Sequence, residues 1–123
     1  ANINLNNKKQ NNQILDTIKK YIINNINEDL TLDDISNVVG YNKEYIVRLF
    51  KKEYGLAPHA FLMNEKVNKA KNLLQNSTHI NLANIASDIG FYDQSHFSKF
   101  FKKSFAIAPS KYKKSILYKT TII

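Results

Sequence analysis

Two stretches of this chain, residues 31–58 and 81–109, carry the same pattern of residues. Positions up to the central glycine of each stretch align at a spacing of 50 residues, and positions after the turn align at a spacing of 51. The matches include Thr31 with Asn81, Ile35 with Ile85, Gly40 with Gly90, Tyr41 with Phe91, Arg48 with Lys99, Phe50 with Phe101 and Pro58 with Pro109. Because a solenoid needs more copies, this duplication predicts a tandem of two similar modules.

Each stretch is predicted to fold as a short helix, a turn at its glycine and a second helix. Thr31 and Asn81 are placed to cap the first helices, and Asp34 completes a capping-box pattern with Thr31. Gly40 and Gly90 lie where each first helix must end, a position that favours a left-handed backbone. Residues expected to face inwards recur at helical spacing. They are Leu32, Ile35, Val38, Val39, Ile46, Leu49, Phe50 and Tyr54 in the first stretch, and Leu82, Ile85, Ala86, Ile89, Phe97, Phe100, Phe101 and Phe105 in the second. The pattern is typical of a helix-turn-helix motif.

The segments around these stretches complete an all-α prediction. Apolar residues at helical spacing predict a helix over 13–25 and a long linker helix over 58–76, and Pro109 starts a short last helix around 110–115. The asparagine- and lysine-rich residues 1–12 are expected to form a flexible arm or linker remnant, and residues 116–123 an irregular or docked tail. We therefore predict about seven helices. They form two helix-turn-helix subdomains of the homeodomain-like three-helix type, residues 13–57 and 77–115, joined by the linker helix.

Positive charge is concentrated in one part of the chain. The formal net charge is +8, yet residues 1–42 sum to −1 and residues 43–123 sum to +9. A basic excess confined to part of a small chain indicates a surface that faces a polyanion. The alternative is a generally basic protein whose lysines are simply solvated.

The sequence offers no set of residues for catalysis or metal binding. It has no cysteine, and His59, His79 and His96 share no metal-ligand spacing. No nucleophile–base set or glycine-rich phosphate loop is visible, so we expect neither an enzyme nor a cofactor. No apolar run is long enough to predict a membrane span.

Motifs with fixed spacing connect the chain to a known family. The residues from Gly40 to Pro58 read GY-x3-Y-x2-R-x-FKK-x2-G-x2-P, and those from Gly90 to Tyr112 read GF-x-DQSHFSKFFKKSF-x3-P-x2-Y. The run K-V-x2-A-x2-LL lies between them, from Lys66 to Leu74. Over residues 14–113 the chain resembles the DNA-binding domain of the AraC/XylS family of bacterial transcription regulators.

The resemblance implies two recognition helices that enter successive major-groove segments of double-stranded DNA. Carried over by position, the DNA-binding residues of the first helix are Asn42, Lys43, Glu44, Val47, Arg48 and Lys51, and those of the second are Asp93, Gln94, Ser95, Ser98, Lys99 and Lys102. Ala106 stands where the family usually has glycine. Lys99 and Lys66 stand where it commonly has arginine. Glu44 can accept a hydrogen bond from cytosine but is repelled by phosphate.

Each of these residue types has a role that its chemistry suits. Arg48 can contact guanine through two hydrogen bonds, or it is a solvated or ion-paired surface residue. Gln94 can pair with adenine or cap its helix, and the short Ser95 and Ser98 let the helix lie deep in a groove. Four lysines suit phosphates or a solvated face: Lys51, Lys52, Lys102 and Lys103.

The resemblance also implies regulation of transcription, with activation as the expected direction, by the DNA-binding part of a longer regulator. The expected partners are double-stranded DNA, RNA polymerase and an N-terminal sensor, dimerisation or receiver domain of the parent chain. The expected location is the bacterial cytoplasm, with the nucleoid. The alternative is a helical adaptor that holds a protein partner without sequence-specific DNA binding. Such an adaptor needs an exposed apolar stripe, whereas these outward faces carry lysine, serine, glutamine and arginine.

Overall fold

The described part of the protein is built of helices and the loops between them. The computed structural model describes residues 2–76 and 81–122, with side chains for residues 7–76 and 81–116. The helices are α1 Asn2–Asn24, α2 Leu32–Val39, α3 Lys43–Tyr54, α4 Pro58–Asn76, α5 Leu82–Ile89, α6 Gln94–Phe105 and α7 Pro109–Ile122. The predicted all-α architecture is therefore confirmed, while the prediction for His79 lies outside the described residues.

The chain forms two compact units. The first unit comprises Ala1–Ile26 and Leu30–Leu62, and the second comprises Asn27–Asp29 and Met63–Ile123. The boundary between Leu62 and Met63 falls within α4, and the short segment Asn27–Asp29 belongs to the second unit although its chain neighbours belong to the first. The division into an arm, two modules, a linker and a tail stays a prediction.

Each unit has its own apolar core. In the first unit, α1 contributes a buried stripe that packs with α2, α3 and the start of α4. In the second, the later turns of α4 pack with α5 and α6. The buried residues of the first core are Ile14, Leu15, Ile18, Ile22, Leu30, Ile35, Ile46, Phe50 and Leu62, and those of the second include Val67, Leu74, Ile85, Ile89, Phe91, Phe97 and Phe101.

The predicted starts and stops of α2 and α5 are confirmed. Thr31 caps α2 through a reciprocal pair of bonds, in which its Oγ1 accepts from the Asp34 N–H at 3.1 Å and its own N–H donates to Asp34 Oδ2 at 3.0 Å. These bonds to Thr31 hold the pKa of the Asp34 carboxyl below its ordinary value. Asn81 caps α5, and Gly40 and Gly90 end α2 and α5 in the left-handed conformation.

Three expectations differ from the structure. Helix α1 begins at Asn2 rather than Gln13, and α7 continues to Ile122 through the stretch expected to be irregular. The first turns of α1 are mostly polar and lack apolar periodicity, so the sequence pattern does not predict them as helix. In the structure the side chains of Gln10 and Asn11 are hydrogen-bonded to tyrosines distant in the chain. Val38, expected to face inwards, is 48% exposed. At about 100° per residue around the helix axis, Val39 points closer than Val38 to the direction of the buried Ile35.

Candidate nucleic-acid interface

Helix α3 presents a polar and basic face to solvent because its opposite face is the core of the first unit. Ile46 and Phe50 are fully buried, which fixes how the helix is rotated. Of the residues predicted to bind DNA, five are exposed and Val47 is half-buried. The exposed residues are Asn42, Lys43, Glu44, Arg48 and Lys51. The structure thus brings the six predicted residues of the first module together on one face.

Two of these side chains already have partners at the start of α3. Asn42 is the N-cap, and its Oδ1 accepts the Tyr45 N–H at 2.8 Å. Lys43 forms an ion pair with Asp33 at 2.9 Å, and this hydrogen bond raises the pKa of Lys43. Because both residues are exposed, the pair adds little to stability and a phosphate can compete for Lys43. Asn42 therefore shapes the start of α3, and the cap occupies its side-chain carbonyl oxygen.

Arg48 lies over an aromatic pair. Its guanidinium carbon is 5.6 Å from the centre of the Tyr45 ring, and Tyr45 stacks on Tyr41 with 5.2 Å between ring centres and 24° between planes. A guanidinium over the face of an aromatic ring is attracted by the electron density of that face. The arginine therefore projects to solvent from a supported position and is not hidden in the fold.

Helix α6 repeats this arrangement in the second unit. Phe97 and Phe101 are fully buried, while Gln94, Ser95, Lys99 and Lys102 are exposed and Ser98 is half-buried. Asp93 is the N-cap, because its Oδ1 accepts the His96 N–H at 2.7 Å. The alternative interpretation of Gln94 as the helix cap is therefore wrong, and its amide remains available to an adenine edge.

Tyr92 is a surface residue that the sequence analysis missed. Its side chain is 92% exposed, beside a concavity of about 450 Å³ lined by Tyr92, Asp93, Ser95, His96 and Lys99. The change of alignment spacing from 50 to 51 marks it, since the second module has one more residue than the first between its glycine and its N-cap. His96 is the half-buried residue of this lining. Its ring packs edge-on against Phe91 and Phe100, with 5.5 Å and 5.2 Å between ring centres.

Lys66 braces the turn before α6 from inside the second unit. Its side chain is buried, and its Nζ donates to the carbonyl oxygens of Glu28 and Gly90 at 3.0 Å each. Burial lowers the pKa of Lys66, while the charges of Asp29 and Glu28 oppose that shift. Lys66, which stands where the family commonly has arginine, therefore has a structural role. Through Lys66, the loop before α2, for which the sequence predicted no role, is connected to the turn of the second module.

Neither a metal centre nor a membrane span is found in the part of the chain that the structure describes. No three histidine or acidic side chains converge within residues 7–76 and 81–116 in a way that could hold a metal ion. None of the described helices combines the length and apolar character needed to cross a bilayer.

Comparison with known proteins assigns the fold to a family. A family model described as a helix-turn-helix domain matches residues 35–115. The TetD protein of transposon Tn10 from Escherichia coli is 31% identical over 85% of this chain and 75% of its own. A crystal structure of a transcriptional regulator with an AraC-type DNA-binding domain, from Chromobacterium violaceum, superposes with a TM-score of 0.78 at 28% identity, over 85% of this chain and 93% of that one. The chain belongs to the AraC-type helix-turn-helix family.

The AraC-type domain accounts for only part of the longer relatives. The Msm operon regulatory protein of Streptococcus mutans is 29% identical over 80% of this chain but only 35% of its own length. The chain spans about a third of the first regulators that it matches. Those proteins and the Chromobacterium one are named as regulators and not as enzymes, so DNA binding in transcription regulation is the class of function that the family supports.

One departure from the AraC-type pattern has a visible structural counterpart. Ala106 ends α6 with φ at 61°, and its N–H donates to the Lys102 carbonyl at 2.7 Å. It is the one non-glycine residue with positive φ in the described chain, at the position where Gly55 ends α3 in the first unit. The left-handed helix end that glycine forms in the first unit is therefore formed by an alanine in the second.

Proposed function

We propose that α3 and α6 are the two recognition helices of this AraC-type domain, each entering a major-groove segment of double-stranded DNA. The observation that carries the proposal is the same arrangement in both units. In each, a fully buried aromatic residue fixes the rotation of the second helix, and the side chains left outwards are polar or basic. The major groove is wide enough to admit an α-helix, and the base edges there carry a unique pattern of hydrogen-bond donors and acceptors.

The exposed residues fall into two groups: those that suit contacts to base edges, here called readers, and those that suit contacts to phosphates, here called phosphate ligands. Arg48 suits guanine and Gln94 suits adenine, because each can form two hydrogen bonds to one base edge. Lys51, Lys52, Lys102 and Lys103 lie towards the ends of α3 and α6 and are exposed, which suits contacts to phosphates that fix position without reading sequence.

The N-caps contribute to the interface through the helix ends. Asn42 holds the first turn of α3, whose remaining backbone N–H groups can face phosphate. At α6 the cap is the Asp93 carboxylate, which itself occupies the helix start as an anion. Ser95 and Ser98 allow close approach on α6, and Lys99 takes the position that Arg48 has on α3. A lysine at that position forms a single point contact, so we expect α6 to be the less selective of the two helices.

For the whole protein, we propose a longer transcription regulator of which this domain is the DNA-binding part. The support is the length of the relatives, of which the domain covers about a third. An N-terminal sensor, dimerisation or receiver domain, contact with RNA polymerase, activation as the direction of control and location with the nucleoid in the cytoplasm all belong to this proposal.

The adaptor alternative is not favoured. It needs a continuous apolar surface, but the large apolar side chains exposed in the described part of the chain are Ile23, Val38 and Tyr92, which lie on α1, on α2 and before α6. Single exposed apolar residues are normal on soluble domains.

Selection from random duplexes tests the proposal. The domain is used to enrich a binding sequence, and affinities for that duplex and for a random one are compared at about 50 and 200 mM salt. We expect one enriched sequence whose advantage over random DNA persists at the higher salt. Enrichment of no sequence, with equal and strongly salt-dependent affinities, would exclude base readout and leave only non-specific attraction.

A further inference from the structure

Helix α1 is bonded to the aromatic pair that supports Arg48. The Tyr45 hydroxyl donates to Asn11 Oδ1 at 2.8 Å, and Gln10 Nε2 donates to the Tyr41 hydroxyl at 2.9 Å. The two rings stack on each other, and the Arg48 guanidinium lies over Tyr45. All five residues belong to the first unit, so one chain of contacts leads from the early turns of α1 to the exposed arginine.

This chain of contacts restricts the directions that Arg48 can take. Arginine has many rotamers, and selecting one on binding costs conformational entropy. A ring held in place by its neighbours and by a hydrogen bond offers the guanidinium one preferred position before DNA arrives. Preorganisation of this kind strengthens the contact that uses the preferred position and leaves other contacts unchanged.

The second module lacks the same support. Phe91, His96 and Lys99 occupy the aligned positions of Tyr41, Tyr45 and Arg48. Phe91 has no hydroxyl, and its ring meets His96 edge-on at 74° instead of stacking. Hydroxyls that bond to α1 are therefore specific to the module that carries the arginine.

We propose that Asn11 and Gln10, acting through Tyr45 and Tyr41, are positioning residues for base readout by Arg48. This inference rests on the proposed function, because it assumes that Arg48 contacts a base. It makes the early part of α1, outside the helix-turn-helix itself, a determinant of sequence specificity at one base pair.

The test compares base preferences, position by position, for variants along the chain of contacts. Arg48→Ala first identifies the base pair that Arg48 reads. Asn11→Ala and Tyr45→Leu are expected to weaken preference at that same base pair by about 3- to 5-fold, with affinity for random duplexes unchanged. Tyr45→Phe keeps the ring and loses only the hydroxyl, so it serves if Tyr45→Leu does not fold. Asn12→Ala is the matched control, because Asn12 is the exposed neighbour of Asn11.

Double variants separate positioning from a general structural role. Tyr45→Leu is expected to have no further effect on base preference once Arg48→Ala is present. Additive losses, or an unchanged preference in Asn11→Ala and Tyr45→Leu when Arg48→Ala relaxes the site, would overturn the inference alone. An Arg48→Ala variant with an unchanged preference would refute the assigned readout by Arg48, and the inference with it, while leaving DNA binding by the domain intact.

Discussion

Arg48 is the only arginine of the chain and is exposed on α3, and its planar guanidinium distinguishes it from the many lysines. We expect Arg48→Ala to weaken binding to the selected duplex by about 1–3 kcal/mol and to relax one base position. Lys102→Ala, the control on α6, should weaken selected and random duplexes alike and reduce the salt slope by about 1. Fluorescence anisotropy on both duplexes measures these differences. Equal losses on both duplexes for both variants would contradict the division into readers and phosphate ligands.

Tyr92 exposes an aromatic ring that the fold does not use. A ring beside polar and basic neighbours suits an apolar contact at a base edge, such as the methyl group of thymine. We expect Tyr92→Ala to change the free energy of unfolding by less than about 0.5 kcal/mol while weakening binding to the selected duplex. Replacement of thymine by deoxyuridine at the contacted position should then weaken wild-type binding but not that of the variant.

The control for Tyr92 is Val38→Ala, which removes another exposed apolar side chain, on α2 of the first unit. Its binding should match that of the wild type. If Tyr92→Ala also binds both duplexes as the wild type does, the ring has no part in the interface.

At the scale of elements, the two glycine turns differ in what surrounds them. A Cβ at Gly90 would collide with the Asn27 carbonyl oxygen and lie 2.9 Å from Lys66 Nζ, whereas a Cβ at Gly40 has nothing within 4 Å. Both residues have positive φ, which costs an alanine about 1–2 kcal/mol. Because alanine also removes entropy from the unfolded chain, we expect Gly40→Ala to lower the free energy of unfolding by about 0.5–1 kcal/mol, and Gly90→Ala to lower it by about 1–3 kcal/mol more through overpacking. Urea unfolding followed by circular dichroism measures both; equal losses would show that Asn27 and Lys66 move away from the added Cβ without cost.

The ends of the two recognition helices offer a reciprocal pair of substitutions. Ala106 has φ of 61° and Gly55, at the aligned position, has φ of 78°. Glycine at position 106 removes the strain of a left-handed alanine, and this gain exceeds the cost of the entropy that glycine adds to the unfolded chain. Ala106→Gly should therefore stabilise the protein by about 0.5–1 kcal/mol. Gly55→Ala should destabilise it by a similar amount, since nothing lies within 4 Å of its Cβ position. Thermal unfolding midpoints that move in the same direction for both variants would contradict this account.

Local signals made most of these elements predictable. Several features depend only on residues close in sequence: the caps Thr31 and Asn81, the turn at Gly90 and the apolar stripe of α6. Because of the duplication, each type of feature occurs twice in the sequence. Contacts between distant residues were not predictable. The helix over residues 2–12 has polar partners more than 30 residues away, and Lys66 bonds to carbonyl oxygens, which no side-chain pattern reveals.

At the scale of the whole molecule, charge and duplication act together. A net charge of +8, with the entire positive excess after residue 42, favours contact with many phosphates. If about six phosphates are neutralised, the logarithm of affinity should fall with the logarithm of salt concentration at a slope of about −5. The salt slope reports how many phosphates are neutralised and not how bases are read. It should therefore be measured on the selected and on the random duplex separately, so that phosphate contacts and base contacts can be distinguished.

Two recognition helices in one chain should bind one duplex with an effective concentration rather than as independent modules. Scrambling the half-site read by either helix should therefore weaken binding by about 100-fold or more, because the base contacts of that helix are lost. The salt slope should change little, because the phosphates of the scrambled half-site remain in place. Arg48→Ala should have no further effect on duplexes whose α3 half-site is scrambled, and should keep its full effect when only the other half-site is changed. Titrations on four duplexes, with each half-site intact or scrambled, test this. A duplex with one half-site that bound as tightly as the complete one would show that only one helix engages DNA, and the charge on the other unit would then need another explanation.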